Sequence, residues 1–136
     1  MNREVQVRRN RSSGLPERTD LRIEALPPGA SGGGGAVLRI PGEVKGAWNT
    51  GVVDSIRTQL LDRYMADFQT DFGVYIVVWF EPADWAVDDN RRQAVTSYGD
   101  KQQLRDLLWK EAEGYAKIGK HISIVLLDAS LRRPTS

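Results

Sequence analysis

Two residues whose side chains can do chemistry together lie close in the sequence: Glu43 and Lys45, separated only by Val44. Side chains of a strand alternate between its two faces, so Glu43 and Lys45 are expected on one face, about 7 Å apart. Val44 is then predicted to point into the packed side of the sheet. A carboxylate can hold a hard divalent cation, and a neighbouring ammonium group can orient a water molecule or stabilise charge on a phosphate oxygen.

The same tripeptide has a plainer explanation. Glu and Lys are common residues, so one Glu-x-Lys in a chain of this length is expected roughly half the time from composition alone. On a solvated strand the two side chains form an ion pair that contributes about 0 to 1 kcal/mol. The tripeptide alone therefore favours the ion pair, and its neighbours in the fold decide between the two interpretations.

A second carboxylate lies on the strand that is predicted to precede Glu43. Alternating apolar residues predict strands over residues 3–9, 18–26 and 36–45. Asp20 is near the start of the second strand, on the face opposite to Leu21 and Ile23. If the second and third strands pair as a hairpin, Asp20, Glu43 and Lys45 converge on one side of the sheet. Two carboxylates and a main-chain carbonyl are the oxygen ligands that Mg²⁺ or Mn²⁺ prefers.

The rest of the chain predicts the elements around this hairpin. Apolar periodicity predicts helices over 51–67 and 100–118, and strands over 74–80 and 122–127. The glycine-rich stretch 27–35 is predicted to be a linker, 81–97 a polar loop and 129–136 a flexible tail. Pro41-Gly42 predicts a bulge or an edge position within the third strand.

The order of these elements is three strands followed by two helix–strand units. The first three strands suit antiparallel hairpins, and the later units suit parallel neighbours with right-handed crossovers. We therefore predict a single α/β (α+β) domain over residues 1–136, with helices on the faces of a mixed sheet. The nearly continuous apolar run 74–80 predicts a central strand that is buried on both faces.

Composition excludes several classes of site. The chain has no cysteine and one histidine, which excludes a disulfide framework, a zinc–thiolate site and a cysteine nucleophile. No stretch of 18 apolar residues and no signal-peptide core are present, so the sequence predicts a cytoplasmic protein without a membrane partner. Arginines near the N-terminus, among them Arg9, Arg11 and Arg18, suit contact with phosphates or a solvated edge.

These residues resemble the motif of the PD-(D/E)XK nuclease superfamily, which has the restriction-endonuclease-like fold. The matching residues are Asp20, in Arg-Thr-Asp-Leu, and Glu43-Val44-Lys45. Gln59 and Tyr64 on the next predicted helix look like the Gln and Tyr of the RecB-like branch, with a spacing one residue longer. The resemblance covers about residues 3–127. It is closest to bacterial domains that often lie at the C-terminus of larger proteins, some of them linked to defence.

The resemblance implies metal-dependent hydrolysis of phosphodiester bonds in nucleic acid. We favour DNA as the substrate, and the sequence leaves RNA open. Asp20, Glu43 and the Val44 carbonyl would ligate Mg²⁺ or Mn²⁺. Lys45 would position the attacking water, with Gln59 orienting the lysine or the water. The nucleic-acid contacts that we predict are Arg9, Arg11, Arg18 and Tyr64.

Three alternatives stay open at the level of sequence. The same fold can be a catalytically inactive module that binds nucleic acid or a partner domain. It can also be a regulatory C-terminal domain that uses Trp48, Trp79 and Trp85 in an interdomain contact. The spacing of Tyr64 favours a core position over a nucleic-acid contact, and Gln59 fits an exposed helix residue as well as a site residue. The family's first helix has no counterpart before residue 3, which predicts that the chain is part of a longer protein with further domains.

Overall fold

The computed structural model describes residues 5–8, 21–25 and 38–132, with only the backbone described for 5–8 and 25. The elements are β1 (Val5–Arg8), β2 (Leu21–Ala25), β3 (Leu38–Gly46), α1 (Ile56–Met65, continued by Ala66–Phe68), β4 (Phe72–Trp79), α2 (Asn90–Thr96), α3 (Lys101–Ala116) and β5 (His121–Asp128). None of the helices in these ranges has the length and apolar character needed to cross a membrane. The predicted linker 27–35 lies outside the described residues.

The strands form one mixed sheet in the order β1-β2-β3-β4-β5. The β1–β2 and β2–β3 pairs are antiparallel. The β3–β4 and β4–β5 pairs are parallel, and each has a helix in its connection. The prediction of a mixed α/β fold is therefore confirmed.

The core lies on one face of this sheet. Tyr75, Val77 and Trp79 of β4 are at most 1% exposed and belong to one apolar cluster with residues of α1, α2 and α3. Val74, Ile76 and Val78, on the opposite face of β4, are half-buried and lie outside that cluster. Among the described elements, the helices thus cover one face, and the prediction that β4 is buried on both faces is wrong.

The direction of the two crossovers explains why the helices share a face. The chain passes from β3 to β4 through α1 and from β4 to β5 through α3, so both crossovers step the same way across the sheet. Parallel crossovers are almost always right-handed, and two right-handed steps in one direction place both helices on the same side. Helices on opposite faces require a reversal of strand order, which β3-β4-β5 does not contain.

Strand β3 turns the Glu-x-Lys motif toward the helices. Glu43 pairs with Tyr75 and Lys45 with Val77, and laterally paired residues of a sheet point to the same face. Val44 pairs with Ile76 on the opposite face, so the prediction that Val44 points into the packed side is wrong. Alternation separated Val44 from Glu43 and Lys45 correctly, but Val44 lies on the face without described helices.

Pro41-Gly42 does not form a bulge. The β2–β3 register runs without a slip from Ala25–Leu38 to Leu21–Gly42. Pairing with β4 begins only at Gly42, so the missing N–H of Pro41 removes no bond from that ladder. A Cβ at position 42 would lie 3.0 Å from the Cβ of Leu21, which explains why glycine suits this close approach of two strands.

Helix α1 differs from its predicted form in start and winding. It begins at Ile56 after a series of turns and is π-helical to Met65, and the Thr70 N–H donates to the Met65 carbonyl at 3.0 Å. Its buried residues are Ile56, Leu60 and Tyr64, four positions apart, and Met65, next to Tyr64. Val53, in the turn before the helix, and Leu61 are half-buried and pack against the core cluster.

Helix α2 lies in the region predicted to be a polar loop. Asp89 caps it, accepting a bond from the Arg91 N–H at 2.9 Å, and Val95 anchors it in the core. Asp89 is a residue type typical of helix N-caps, but a helix of seven residues with one buried side chain has too few apolar positions to show a helical period. The apolar pattern therefore did not predict this helix. The start of the predicted tail is also held, because the Ala129 N–H donates to the Trp79 carbonyl at 2.8 Å.

The turn after β3 supplies a prediction about stability. A Cβ added at Gly46 overlaps the indole ring of Trp48, so Gly46→Ala must displace that ring. We expect the free energy of unfolding, measured by urea denaturation, to fall by about 1–3 kcal/mol. The control is Gly114→Ala in the interior of α3, where an added Cβ meets nothing within 4 Å. That variant is expected to gain about 0.5–1 kcal/mol. Equal effects at the two positions would contradict the packing argument.

Candidate functional site

The site is built on the end of β3 that faces α1. Lys45 Nζ lies 3.4 Å from Glu43 Oε1. The Glu43 side chain is 4% exposed and that of Lys45 is 18% exposed. The prediction that the two side chains share a face is confirmed by their register with Tyr75 and Val77. Glu43 is thus a carboxylate at the edge of the core, with a cation beside it that reaches toward solvent.

Tyr75 closes the inner side of this pair. Its hydroxyl donates to the Val52 carbonyl at 2.5 Å, which ties β4 to the turn before α1. Burial raises the pKa of Tyr75 above its usual range, and the negative charge of Glu43 raises it further, although a hydrogen bond with Ser55 acts in the opposite sense. Tyr75 therefore stays protonated near neutral pH and acts as a hydrogen-bond donor, so proton transfer falls to other groups.

Helix α1 packs on the same face and carries two of the predicted site residues. Gln59 is half-buried. Tyr64 is 7% exposed and belongs to the core cluster, in agreement with the alternative that its helical spacing indicated. The predicted contact between Tyr64 and nucleic acid stays a prediction, and the buried position of the ring favours the core role.

Four predicted site residues lie outside the described residues: Asp20, Arg9, Arg11 and Arg18. The described chain resumes at Leu21, the residue after Asp20, and Leu21 pairs with Gly42, the residue before Glu43. Within the described ranges, no group of three or more Asp, Glu, His or Cys residues is arranged to hold a metal ion. Of the three predicted metal ligands, those ranges contain Glu43 and Val44.

A strip of charged residues continues from Glu43 across β3 and β2, on the same face. Arg22 pairs with Pro41 and Glu24 pairs with Arg39 in the strand register. Glu24 forms ion pairs with Arg22 and, at 3.6 Å, with Arg39. The guanidinium of Arg22 also lies over the Phe68 ring, 5.5 Å from its centroid. The predicted nucleic-acid contacts did not include Arg22 and Arg39, although their alternation with Leu21 and Ile40 was the available signal.

An aromatic cluster lies at the carboxyl ends of β3 and β4. The rings of Trp48, Phe80 and Trp85 contact one another with centroids 5.3–5.7 Å apart. Arg91 covers the Trp85 ring at 4.3 Å and forms an ion pair with Asp89 at 2.7 Å. The hydrogen bond from Arg91 lowers the pKa of Asp89 to about 2. Because the rings and Arg91 already contact one another, the cluster holds the loop after β4 in place.

Comparisons with protein-family models, curated proteins and solved structures find no match. The resemblance to the PD-(D/E)XK superfamily therefore rests on the residues of the chain itself. The geometry adds one observation to that motif, a buried Glu43 with Lys45 at 3.4 Å on the face that α1 covers.

Proposed function

We propose that this chain is a nuclease domain of the restriction-endonuclease-like type, which hydrolyses phosphodiester bonds with the help of Mg²⁺ or Mn²⁺. The observation that carries the proposal is the Glu43–Lys45 pair, in which a nearly buried carboxylate lies 3.4 Å from an ammonium group. The resemblance of Asp20 and Glu43-Val44-Lys45 to the superfamily motif assigns this pair to the reaction.

The burial of the pair supports a functional role over a purely structural one. Taking two charges out of water costs several kcal/mol per ion, so a buried ion pair stabilises a fold no better than apolar residues of similar size. Glu43 and Lys45 lie beside Tyr75 and Val77, at positions where apolar side chains would extend the core. A fold that keeps charges there gains little stability from them, whereas a hydrolytic site needs both.

Each residue of the proposed site has a distinct task. Asp20, Glu43 and the Val44 carbonyl are oxygen ligands suited to a hard divalent cation, which neutralises the phosphate and lowers the pKa of bound water. Lys45 holds the attacking water and stabilises negative charge on the phosphate oxygens. Gln59 orients Lys45 or the water. Tyr75, as a protonated donor tied to Val52, fixes β4 against the turn that precedes α1.

The charged strip supports nucleic acid as the substrate. Arg39 has a side chain that is 55% exposed and Arg22 one that is 32% exposed, on the same face of the sheet as Lys45. Guanidinium groups bind phosphates through paired donors. A nucleic-acid strand with one phosphate at Lys45 that continues along this face would bring phosphates further along the strand to Arg22 and Arg39. We propose DNA as the substrate.

Arg39 gives a test of this binding surface. We expect Arg39→Ala to weaken DNA binding and to reduce the slope of log K against log salt by about one, because one phosphate contact is lost. Arg57→Ala is a matched control, because Arg57 is 54% exposed and lies 3.7 Å from Asp62, as Arg39 is 55% exposed and lies 3.6 Å from Glu24. Fluorescence anisotropy at several salt concentrations measures both slopes. Identical slopes would remove Arg39 from the surface.

The proposed activity is tested by incubating the protein with plasmid DNA and with single-stranded RNA, each with Mg²⁺, Mn²⁺ or EDTA. We expect DNA cleavage that requires the metal and is lost in Asp20→Ala. Isothermal titration with Mn²⁺ in the same variant reports whether metal binding is lost with it. Cleavage that persists in EDTA would contradict a metal-dependent site.

A second candidate is the same fold without catalysis, which binds nucleic acid. Arg22 and Arg39 favour it, because phosphate contacts of this kind do not require a reaction. Binding of DNA without cleavage under any metal condition would support this candidate over the nuclease.

A further inference from the structure

Strand β5 is the last strand of the described sheet, and its outer edge has the composition of an interface. From His121 to Leu127 it contains no Asp, Glu, Lys, Arg, Pro or Gly. Its pairing with β4 is continuous from Phe72–His121 to Trp79–Asp128, so the strand is regular along its whole length. Sheet edges that stay free are normally protected by charges, prolines, bulges or short length. None of these devices occurs between His121 and Leu127.

Apolar side chains are exposed on both faces next to this edge. Val125 and Leu127, on the face without described helices, are 38% and 50% exposed. On the helix-covered face, Trp109 of α3 is 47% exposed. Between α3 and the start of β5 lies a cavity of about 210 Å³, lined by Trp109, Ala112, Glu113, Ala116, His121, Ile122 and Ser123. The edge and its two flanks therefore form one largely apolar surface.

We propose that this edge binds β5 of a second copy of the chain, in antiparallel pairing across a two-fold axis, so that the two sheets form one. An extended segment without charge suits this edge, because the strand itself has no Asp, Glu, Lys or Arg between His121 and Leu127 with which to pair a charged peptide. β5 itself is such a segment. Identical uncharged edges also meet without repulsion, which is the condition for an isologous dimer.

The geometry of a two-fold pair agrees with this choice. Antiparallel strands related by a two-fold axis keep equivalent faces on the same side, so helix-facing residues meet helix-facing residues. With the axis at Ile124, Ile122 lies opposite Leu126 of the second copy. Ile122 lines the cavity, so this register brings an apolar side chain of the second copy to its mouth. The outward-facing Ser123 then lies opposite Val125.

Light scattering coupled to gel filtration tests the proposal. The wild-type chain is expected at twice its 15.2 kDa mass, and Val125→Lys at the mass of one chain, with its fold checked by circular dichroism. Val87→Lys is the matched control, because Val87 is 81% exposed and lies in the loop after β4. It should remain dimeric. A wild-type protein that is monomeric at every concentration overturns the proposal, as does a folded Val125→Lys that remains dimeric.

A second measurement keeps the test decisive if Val125→Lys does not fold. Alternate amides of an edge strand point away from the sheet and exchange quickly with solvent unless another strand pairs with them. In the wild-type protein we expect the outward amides of β5 to become protected as the protein concentration rises. Outward amides of β5 that exchange at the unprotected rate at every concentration would overturn the pairing and leave the edge available to an unrelated extended peptide.

Discussion

Replacement of Lys45 by alanine is expected to lower the rate of metal-dependent DNA cleavage about 100-fold or more. Removing one group that stabilises transition-state charge typically costs two to three orders of magnitude. Lys45 is not a metal ligand, so the affinity for Mn²⁺ should change little. The result therefore separates a defect in the chemical step from a defect in metal binding.

The control for this variant is Lys101→Ala. Lys101 also forms an ion pair, with Asp128 at 2.8 Å, but on the surface at the end of β5, two strands away from β3. The Lys101→Ala protein should cleave DNA at the wild-type rate. Thermal unfolding of both variants shows whether the fold is retained. A folded Lys45→Ala protein that cleaves normally would remove Lys45 from the reaction and leave the Glu43–Lys45 pair as a structural feature.

The second large effect concerns the stability cost of keeping this pair. Lys45→Met removes the cation beside the buried Glu43 carboxylate. Breaking a buried pair costs roughly 3–5 kcal/mol, and because the Lys45 side chain is 18% exposed we expect a loss of about 2–3 kcal/mol. The double variant Glu43→Leu/Lys45→Met places apolar residues beside Tyr75 and Val77. Its free energy of unfolding should be at least that of the wild-type protein, with a gain of about 1 kcal/mol or more if the new side chains pack well.

Urea denaturation followed by tryptophan fluorescence measures these differences. The control is Lys120→Met, which removes a surface ion pair with Asp71 and should leave the free energy of unfolding almost unchanged. A double variant that is stable but inactive would show that the charges are kept for chemistry. If the double variant is less stable than the wild-type protein, the pair stabilises the fold better than apolar residues do, and the burial argument for the nuclease fails.

Much of the secondary structure follows from local patterns in the sequence. The apolar runs predicted β4 and β5 to within two residues at each end, and the periodic leucines predicted α3. Helix α3 also begins with a capping box, in which Asp100 and Gln103 exchange bonds with each other's backbone N–H. Such signals are reliable because they depend on neighbours within a few residues. α2 was missed because its one buried residue, Val95, gives no period.

The sequence by itself determined that Glu43 and Lys45 share a face, because strand alternation is a property of the local backbone. It could not determine what covers that face. The helices lie on the Glu43 side because both crossovers have the same direction, and that is a relation among strands far apart in the chain. Only the tertiary structure therefore decided that Glu43 is buried beside Tyr75, that Val44 faces away from the helices, and that Arg22 and Arg39 extend the charged surface.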